Sequence, residues 1–299
     1  MEITKPGIYD EMPPEIYHGD PVPGGSLSSG GARKLLPPSC PAKFRWWADN
    51  GQQSTPDFDF GHAAHKLILG RGQEVEVIES ASWRTKAAQA AGEIARAAGK
   101  IPLLEAAWER AQQMETVLRA HPEAGPLFEP GTGDPEQSLF WQDGEFGVWR
   151  RARPDWVPHW RGTGGRLIIP DYKTCASAEP AALSRAMDQL GYEQQAAWYC
   201  DGAEALGLAA PGTSVFLFVC QEKVPPYVVT ICQPDGVAMR RGRMRNYVAM
   251  SIYRECVESG IWPAYSDRIE KLPLPPWAET AFENAVESGE YDVLSRKGE

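Results

Sequence analysis

The sequence lacks any run of about 18 apolar residues, the length that a helix needs to cross a bilayer. Its opening stretch, MEITKPGIYDEMPP, has neither the basic segment nor the apolar segment of a secretory signal. Both absences argue against a membrane-spanning or secreted protein. We therefore expect a cytoplasmic protein with no membrane partner.

Cysteine is scarce, and its spacing excludes two kinds of site. No two cysteines form a C-x-x-C pair, and the six are scattered: Cys40, Cys175, Cys200, Cys220, Cys232 and Cys256. This pattern favours neither a disulfide framework nor a zinc ribbon. We expect the cysteines to be small apolar residues of the core.

Basic residues are outnumbered, with 30 Lys and Arg against 40 Asp and Glu, which gives a net charge of −10. An acidic chain is a poor partner for nucleic acid on average. That argument is weak here, because arginines can gather on one face while carboxylates hold metal ions elsewhere.

Apolar residues are plentiful, at 42% of 299 residues with 11 Trp, 10 Tyr and 9 Phe, so the chain can bury a core without help. Its pattern predicts an irregular arm with one short helix to about residue 60, a helix at 59–69, two helices within 83–121, a three-stranded meander within 137–173, a helix at 180–207, two strands within 214–232 and a helix at 237–259. This order fits an α/β fold in which helices flank a small mixed sheet.

The segment RPDWVPHWRGTGGRLIIPDYKT holds the most informative polar residues. Side chains alternate along a strand, so Asp171 and Lys173 share one face. If Thr163 is the centre of a hairpin turn, antiparallel pairing places Asp155 opposite Asp171. Prolines in both strands allow a slip of one or two positions, but the two acids stay close.

Two neighbouring carboxylates repel unless a proton or a cation lies between them, and hard oxygen ligands suit Mg²⁺ or Mn²⁺. A lysine beside them can orient a water molecule or stabilise charge on a phosphate. The alternative is structural, with Asp155 in a turn and Asp171 and Lys173 as an exposed pair. The apolar L-I-I before the acid favours a site, because a buried strand rarely ends in unused charges.

Pro154-Asp155 followed by Asp171-Tyr172-Lys173 resembles the P-D…(D/E)-x-K signature of the PD-(D/E)XK nuclease superfamily. Two further motifs resemble its RecB-like and RecE-like branch: G-x-x-x-H at Gly61 and His65, and Y-x-x-Q-x-x-x-Y at Tyr192, Gln195 and Tyr199.

The chain is similar to the RecE-like (exonuclease VIII-type) exodeoxyribonucleases of phage origin. The likeness extends over nearly its whole length, from Pro6 to about Ala278. It favours one main domain over two. The expected organisation is an N-terminal arm packed on the core over 1–60, a nuclease domain with a PD-(D/E)XK core over 61–280 and a polar tail over 281–299.

The resemblance implies a metal site and a reaction. It implies that Mg²⁺ or Mn²⁺ is bound by His65, Asp155, Asp171 and the carbonyl of Tyr172. It also implies that Asp155, Asp171, Lys173 and Gln195 are catalytic, with Lys173 beside the attacking water and Gln195 near the substrate phosphate. His62 is the competing imidazole, and a histidine on an apolar helix is often structural.

Candidate DNA contacts come from the arginine clusters and from the Y-x-x-Q-x-x-x-Y helix: Arg151, Arg153, Tyr192, Gln195, Arg240, Arg241 and Arg243. The alternatives are that the arginines form solvated faces and that the tyrosines form a packing stripe. Glu136, before the first strand of the predicted meander, fits a site acid or a loop acid equally well.

The resemblance further implies an exonuclease that acts on double-stranded DNA ends in the 5′ to 3′ direction. It implies a ring-shaped homo-oligomer, such as a tetramer, and a single-strand annealing protein as partner, in the cytoplasm of a bacterial host. A RecB-like or CRISPR-adaptation-like nuclease of other polarity or single-strand preference stays open, as does an inactive DNA-binding module. No iron–sulfur cluster is expected, since only Cys256 follows Cys232 and cluster-bearing relatives need three grouped cysteines there.

Overall fold

The structure is a computed structural model that describes residues 1–51 and 55–293, in two compact units, Met1–Trp262 and Pro263–Glu299. The helices of the larger unit are α1 (Pro14–His18), α2 (Ser29–Leu35), α3 (Pro41–Asn50), α4 (Pro56–Leu69), α5 (Lys86–Ala97), α6 (Glu105–Ala120), α7 (Pro180–Leu190), α8 (Tyr192–Ala205) and α9 (Gly236–Ser259). Its strands are β1 (Gly7–Tyr9), β2 (Leu27–Ser28), β3 (Val75–Ile78), β4 (Ile101–Leu104), β5 (Gly133–Pro135), β6 (Ser138–Gln142), β7 (Trp149–Ala152), β8 (Trp156–Pro158), β9 (Leu167–Cys175), β10 (Ser214–Glu222) and β11 (Val229–Cys232).

The strands form small sheets that match the predicted α/β class. Strand order is β1-β6-β7-β2 in a four-stranded sheet and β11-β10-β9 in a three-stranded sheet, with β3-β4 and β5-β8 as two-stranded pairs. β10 pairs in parallel with β9 and antiparallel with β11, so the three-stranded sheet is mixed. The fold expected from the sequence is confirmed.

The three-stranded sheet lies between two layers of helices. Parallel strands need a crossover connection, and α7 and α8 supply it between β9 and β10. One face of the sheet buries Ile169 and Phe216 against Ala196 of α8. The other buries Tyr172 and residues of α4 and α6 in a second core. Charged groups on β9 are therefore held in a rigid, apolar frame.

The predicted three-stranded meander was wrong. β6 and β7 form an antiparallel hairpin, but β8 pairs with β5, and β9 pairs with β10. The reason lies in the connection from β8 to β9, where Gly164 and Gly165 have φ values of 73° and 74° within a short 3₁₀ turn. After this loop β9 still lies beside β8 but forms no ladder with it, and it pairs instead with the apolar run of β10, Ser214–Glu222, over nine residues.

Other predicted elements differ in detail. The first 60 residues contain α1, α2, α3 and the start of α4, where one short helix was expected. The helix predicted over 180–207 is divided at Gly191, whose φ of 64° ends α7 in the left-handed conformation. β4 separates α5 from α6 and pairs with β3. The expected end of α4 at Gly70, with φ 69°, and the expected α9 are confirmed.

The smaller unit contains α10 (Pro276–Glu287) and a 3₁₀ turn at Glu290–Val293, with the rings of Phe282 and Tyr291 5.6 Å apart. Domain boundaries at residues 60 and 280 stay predictions. Residues 52–54 of the predicted arm and 294–299 of the predicted tail lie outside the described part of the chain. In the described part, no helix is both long and apolar enough to cross a membrane.

Candidate active site

Strand β9 delivers the central residues of the site. Asp171 and Lys173 lie on the sheet face covered by α8, and Tyr172 lies on the opposite face. The Tyr172 hydroxyl donates a 2.7 Å hydrogen bond to Oε1 of buried Gln221, which holds β9 in place on the face opposite Asp171. Asp171 is only 1% exposed, so its carboxylate is desolvated.

Asp155 lies directly before β8 and reaches β9 through its side chain. Its Oδ2 accepts a 2.7 Å hydrogen bond from the backbone N–H of Tyr172. The predicted register, with Asp155 opposite Asp171 in an antiparallel ladder, was wrong, because Asp171 pairs with Phe218 of β10. The two acids nevertheless lie at the same edge of β9. The N–H and C=O of one strand residue face the same edge, so the Tyr172 carbonyl also faces Asp155.

Both oxygens of Asp171 are held by neighbouring side chains. Nζ of Lys173 lies 2.5 Å from Oδ2, and Nε2 of Gln195 on α8 donates a 2.7 Å hydrogen bond to Oδ1. The structure therefore brings together four residues that the sequence analysis named as catalytic. Gln195 contacts the site through Asp171.

His65 reaches the site from α4. Its Nδ1 lies 3.6 Å from Oδ2 of Asp155, and its ring meets the Tyr172 ring edge-on at 5.2 Å. Burial, aided by the charge of Lys173, lowers the pKa of His65 to about 4. The imidazole is neutral at pH 7 and keeps a lone pair for a ligand. His62, one turn earlier, is exposed.

The two carboxyl groups of the site have raised pKa values. Burial raises the pKa of Asp155 and of Asp171 to about 6, although Lys173 acts in the opposite direction on both. Burial alone would lower the pKa of Lys173, but the attraction of Asp171 and Asp155 outweighs it and raises that pKa above the ordinary value. Two desolvated carboxylates thus share one compensating lysine.

This donor set fits a divalent cation. Carboxylate and carbonyl oxygens are the ligands that Mg²⁺ and Mn²⁺ prefer, and a neutral imidazole is acceptable to Mn²⁺. A bound cation would also neutralise the negative charge of the two carboxylates, which burial has removed from water. Within residues 1–51 and 55–293, no three His, Cys, Asp or Glu side chains form a ready ligand group. Lys173 and Gln195 occupy the oxygens of Asp171.

Comparison with known families agrees with this geometry. The family described as "PDDEXK-like domain of unknown function (DUF3799)" matches residues 39–274, most of the chain. The chain belongs to this family. Its PD-(D/E)XK fold was correctly predicted from the motif at 154–155 and 171–173.

One solved structure has a fold similar to that of this chain. A protein of Eubacterium rectale described as a "putative exonuclease" superposes with a TM-score of 0.56 at 12% identity, covering 91% of this chain and 98% of its own. The SSO0001 protein matches with a TM-score of 0.27 at 14% identity over 64% of this chain and 84% of its own, too weakly for any argument. A search of curated proteins found no significant match.

In this PDDEXK-like chain, two predicted DNA-contacting arginines have partners within the protein, Arg151 buried and Arg153 half-buried. Arg151 is buried, with Nη1 2.5 Å from Oδ2 of Asp20 and 2.9 Å from the carbonyl of Ser26. Arg153 donates to the carbonyls of Glu136 and Met12. Both hold the N-terminal arm against the sheet. We therefore leave Arg151 out of the proposed DNA contacts, because its guanidinium is already enclosed.

The two tyrosines of the Y-x-x-Q-x-x-x-Y helix pack against β10, whereas its glutamine contacts the candidate active site. Tyr192 stacks on Phe218 with ring centroids 4.9 Å apart, and Tyr199 meets Phe216 edge-on at 5.6 Å. Packing explains both rings, whereas Gln195 alone reaches a carboxylate.

The arginines of α9 are mostly paired with acids. Arg241 lies 2.6 Å from Asp188, and Arg243 lies 3.0 Å from Asp201. Arg240 is exposed. Of the predicted contacts on α9, Arg240 is the one most accessible to a phosphate.

Glu136 lies beside the site, and the sequence left its role undecided. Its backbone is left-handed, with φ 49°, and its N–H donates a 3.1 Å hydrogen bond to the carbonyl of Asp155. The charge of Glu136 adds to the rise in the pKa of Asp155. The position of Glu136 before the first strand of the predicted meander does not by itself distinguish a site acid from a loop acid.

Proposed function

We propose that this chain is a metal-dependent deoxyribonuclease that hydrolyses phosphodiester bonds. The observation that carries this proposal is the convergence of Asp155, Asp171, Lys173 and Gln195 at one edge of β9, in a chain of the PDDEXK-like family. Buried carboxylates with raised pKa values beside a lysine are typical of a reactive site and costly to maintain otherwise.

Each residue has a definite task. Asp155, Asp171, His65 and the Tyr172 carbonyl would hold Mg²⁺ or Mn²⁺, which supplies charge neutralisation at the phosphate and acidifies a nucleophilic water. Lys173 stays protonated, because its pKa is raised. It therefore donates a hydrogen bond to the attacking water or to a phosphate oxygen and stabilises negative charge in the transition state. Gln195 fixes the orientation of the Asp171 carboxylate.

The finer specificity rests on the RecE-like motifs. They favour an exonuclease that resects double-stranded DNA ends 5′ to 3′, within a ring-shaped homo-oligomer and beside a single-strand annealing protein of phage recombination. A relative with the same fold is described as a "putative exonuclease", which agrees with this choice. A RecB-like or CRISPR-adaptation-like preference for single strands is the second candidate. An inactive DNA-binding module is disfavoured, because both acids and the lysine are present at β9, with Lys173 paired to Asp171 and Asp155 bonded to the backbone of Tyr172 between them.

The test is a digestion of end-labelled linear duplex, closed circular duplex and single strand with Mg²⁺, Mn²⁺ or EDTA. We expect labelled nucleotides to be released from the linear duplex only, and only when metal is present. The label at the 5′ end should be released first. An Asp171→Asn variant purified in parallel controls for contaminating nucleases. Absence of metal-dependent cleavage, or equal cleavage by the variant, would overturn the proposal. Preference for the single strand would select the second candidate.

A further inference from the structure

Three cysteines lie in a row across the three-stranded sheet: Cys175 ends β9, Cys220 lies within β10 and Cys232 ends β11. Cys175 pairs with Glu222, two residues after Cys220. Cys232 pairs with Phe218, two residues before Cys220. Because strand residues two apart share a face, all three thiols lie on the face that packs against α8. None of the roles assigned above uses these thiols.

The thiols of Cys220 and Cys232 interact directly. They share a hydrogen bond, and both belong to the apolar core under α8. The structure holds both as free thiols. A disulfide needs close Cβ atoms, and β11, as the edge strand of its sheet, can make the small movement that brings hydrogen-bonded sulfurs into bonding range.

The two thiols differ in access to solvent. Cys220 is 1% exposed, whereas Cys232 is half-buried. The hydrogen bond from Cys220 lowers the pKa of the Cys232 thiol, although burial acts in the opposite direction, and the same bond with burial raises the pKa of Cys220. Oxidants attack the thiolate of an accessible cysteine. Cys232 is therefore the thiol that an oxidant reaches first, with Cys220 beside it as the second reactant.

We propose that Cys232 and Cys220 are a peroxide-oxidisable thiol pair that closes to a reversible disulfide between β10 and β11. The Cys232 sulfur attacks one oxygen of hydrogen peroxide, the O–O bond breaks, water leaves and a sulfenic acid remains. The Cys220 sulfur then attacks the Cys232 sulfur, the S–O bond breaks, and the departing hydroxide takes the Cys220 proton and leaves as water. The pair loses two electrons and two protons, and the peroxide is reduced to two waters. The inference does not depend on the proposed nuclease function.

The new bond would tie the edge strand to the strand beside the candidate active site. Cys220 is the ladder partner of Lys173 in the parallel pairing of β10 with β9. A disulfide across the β10–β11 hairpin restricts the unfolded chain and so stabilises the folded one. We expect the oxidised protein to have a Tm several degrees above that of the reduced protein.

Peptide mapping after mild oxidation tests the pair. The full chain is treated with hydrogen peroxide in EDTA, the remaining free thiols are blocked with iodoacetamide, and tryptic peptides are analysed by mass spectrometry without reduction. We expect the peptides 186–223 and 224–240 to be linked, and dithiothreitol to separate them. Because peptide 186–223 also contains Cys200, the mapping is repeated on Cys200→Ala, which should keep the link.

Cys232→Ser is the variant that tests the proposal, since Cys232 is half-buried and serine is of similar size. It should lose both the linked peptides and the rise in Tm. Cys256→Ala, which removes a buried thiol of α9, is the matched control and should keep both. A wild type whose six thiols stay free, a link through Cys175 in place of Cys232, or a rise in Tm that persists in Cys232→Ser overturns the inference. DNA digestion by the reduced protein is measured separately, so the nuclease proposal survives any of these results.

Discussion

The backbone N–H of Tyr172 donates a 2.7 Å hydrogen bond to Oδ2 of Asp155, so the strand that carries one candidate metal ligand also positions the other. The bond favours the ionised carboxylate, but burial acts more strongly, and the pKa of Asp155 rises to about 6. At neutral pH the buried Asp155 carboxylate therefore carries a negative charge that destabilises the fold, and a bound cation would offset this cost. This relationship makes stability and metal binding depend on pH in opposite ways.

Asp155→Asn should stabilise the metal-free protein at pH 8. The raised pKa means that the folded state holds the Asp155 proton more tightly than the unfolded state does. The stabilisation from that proton is complete below about pH 4 and is lost as the pH rises through about 6. A neutral amide avoids this loss, so we expect a gain of about 1 to 3 kcal/mol at pH 8, seen as a rise of several degrees in Tm by calorimetry.

The control for this change is Asp10→Asn at an exposed position, which should leave Tm nearly unchanged. Comparison at pH 4.5 isolates the titration, because wild-type Asp155 is then mostly protonated and the variant loses its advantage. Mn²⁺ at pH 8 should stabilise the wild type more than the variant. An equal gain for the variant at both pH values would contradict the assignment.

Lys173→Ala should separate catalysis from metal binding. Lys173 is the cation beside Asp171, so its removal takes away transition-state stabilisation but also a competitor for the carboxylate. We expect cleavage to fall by about 100-fold or more, and Mn²⁺ affinity measured by calorimetry to stay equal or increase. Lys223→Ala, which removes a partner of exposed Asp57, should leave both unchanged. Cleavage by Lys173→Ala at near the wild-type rate would place the active site elsewhere.

The sequence predicted the C-terminal ends of α4 and α9 because helix-ending signals are local. It predicted that Asp155 and Asp171 lie close together, but for the wrong reason. Apolar periodicity shows that β9 is buried and does not show which strand it pairs with. Pairing with β10 depends on residues 47 positions away in the chain, Ser214↔Leu167 onward.

The role of Arg151 was beyond the sequence for a similar reason. Its partners, Asp20 and Ser26, come from the N-terminal arm, and only the folded chain brings them to β7. An arginine run gives the same pattern whether its charges are solvated, internally paired or bound to DNA. Gln195 was predictable from its motif, whereas the packing of Tyr192 on Phe218 required the sheet.

Gln195→Ala should shift the acid limb of the pH–rate profile. The Gln195 amide donates to Oδ1 of Asp171, which favours the ionised carboxylate. Without this bond the pKa of Asp171 rises above about 6, so kcat should fall about tenfold at pH 6.5 and much less at pH 8.5. Gln194→Ala would disturb the α8–α9 contact through Asn246 and should lower Tm without moving the profile. A uniform loss across pH would assign Gln195 to substrate binding.

Arg240→Ala should weaken DNA binding without a preference for sequence. Arg240 is exposed on α9, where a phosphate contact releases counterions. The logarithm of affinity plotted against the logarithm of salt concentration should lose about one unit of slope, measured by anisotropy in EDTA. Arg254→Ala, on the same helix and paired with Glu258, serves as the control with an unchanged slope. Identical slopes for both variants would exclude Arg240 from the DNA-binding surface.

Gly242→Ala should disrupt the site from a distance, because Gly242 is where α9 crosses α8. A Cβ at residue 242 would lie 2.1 Å from the carbonyl oxygen of Glu193, a backbone atom that cannot rotate away. The helices must separate, so we expect a loss of about 2 kcal/mol or more in the free energy of unfolding, measured by urea denaturation.

Gln195 follows Glu193 by two residues, so its hydrogen bond to Asp171 should also weaken and the activity of the remaining folded protein should fall. Gly236→Ala, at the start of α9 with no described atom within 4 Å of the new Cβ, should change neither quantity. Wild-type stability for Gly242→Ala would show that α8 and α9 do not cross as closely as this contact requires.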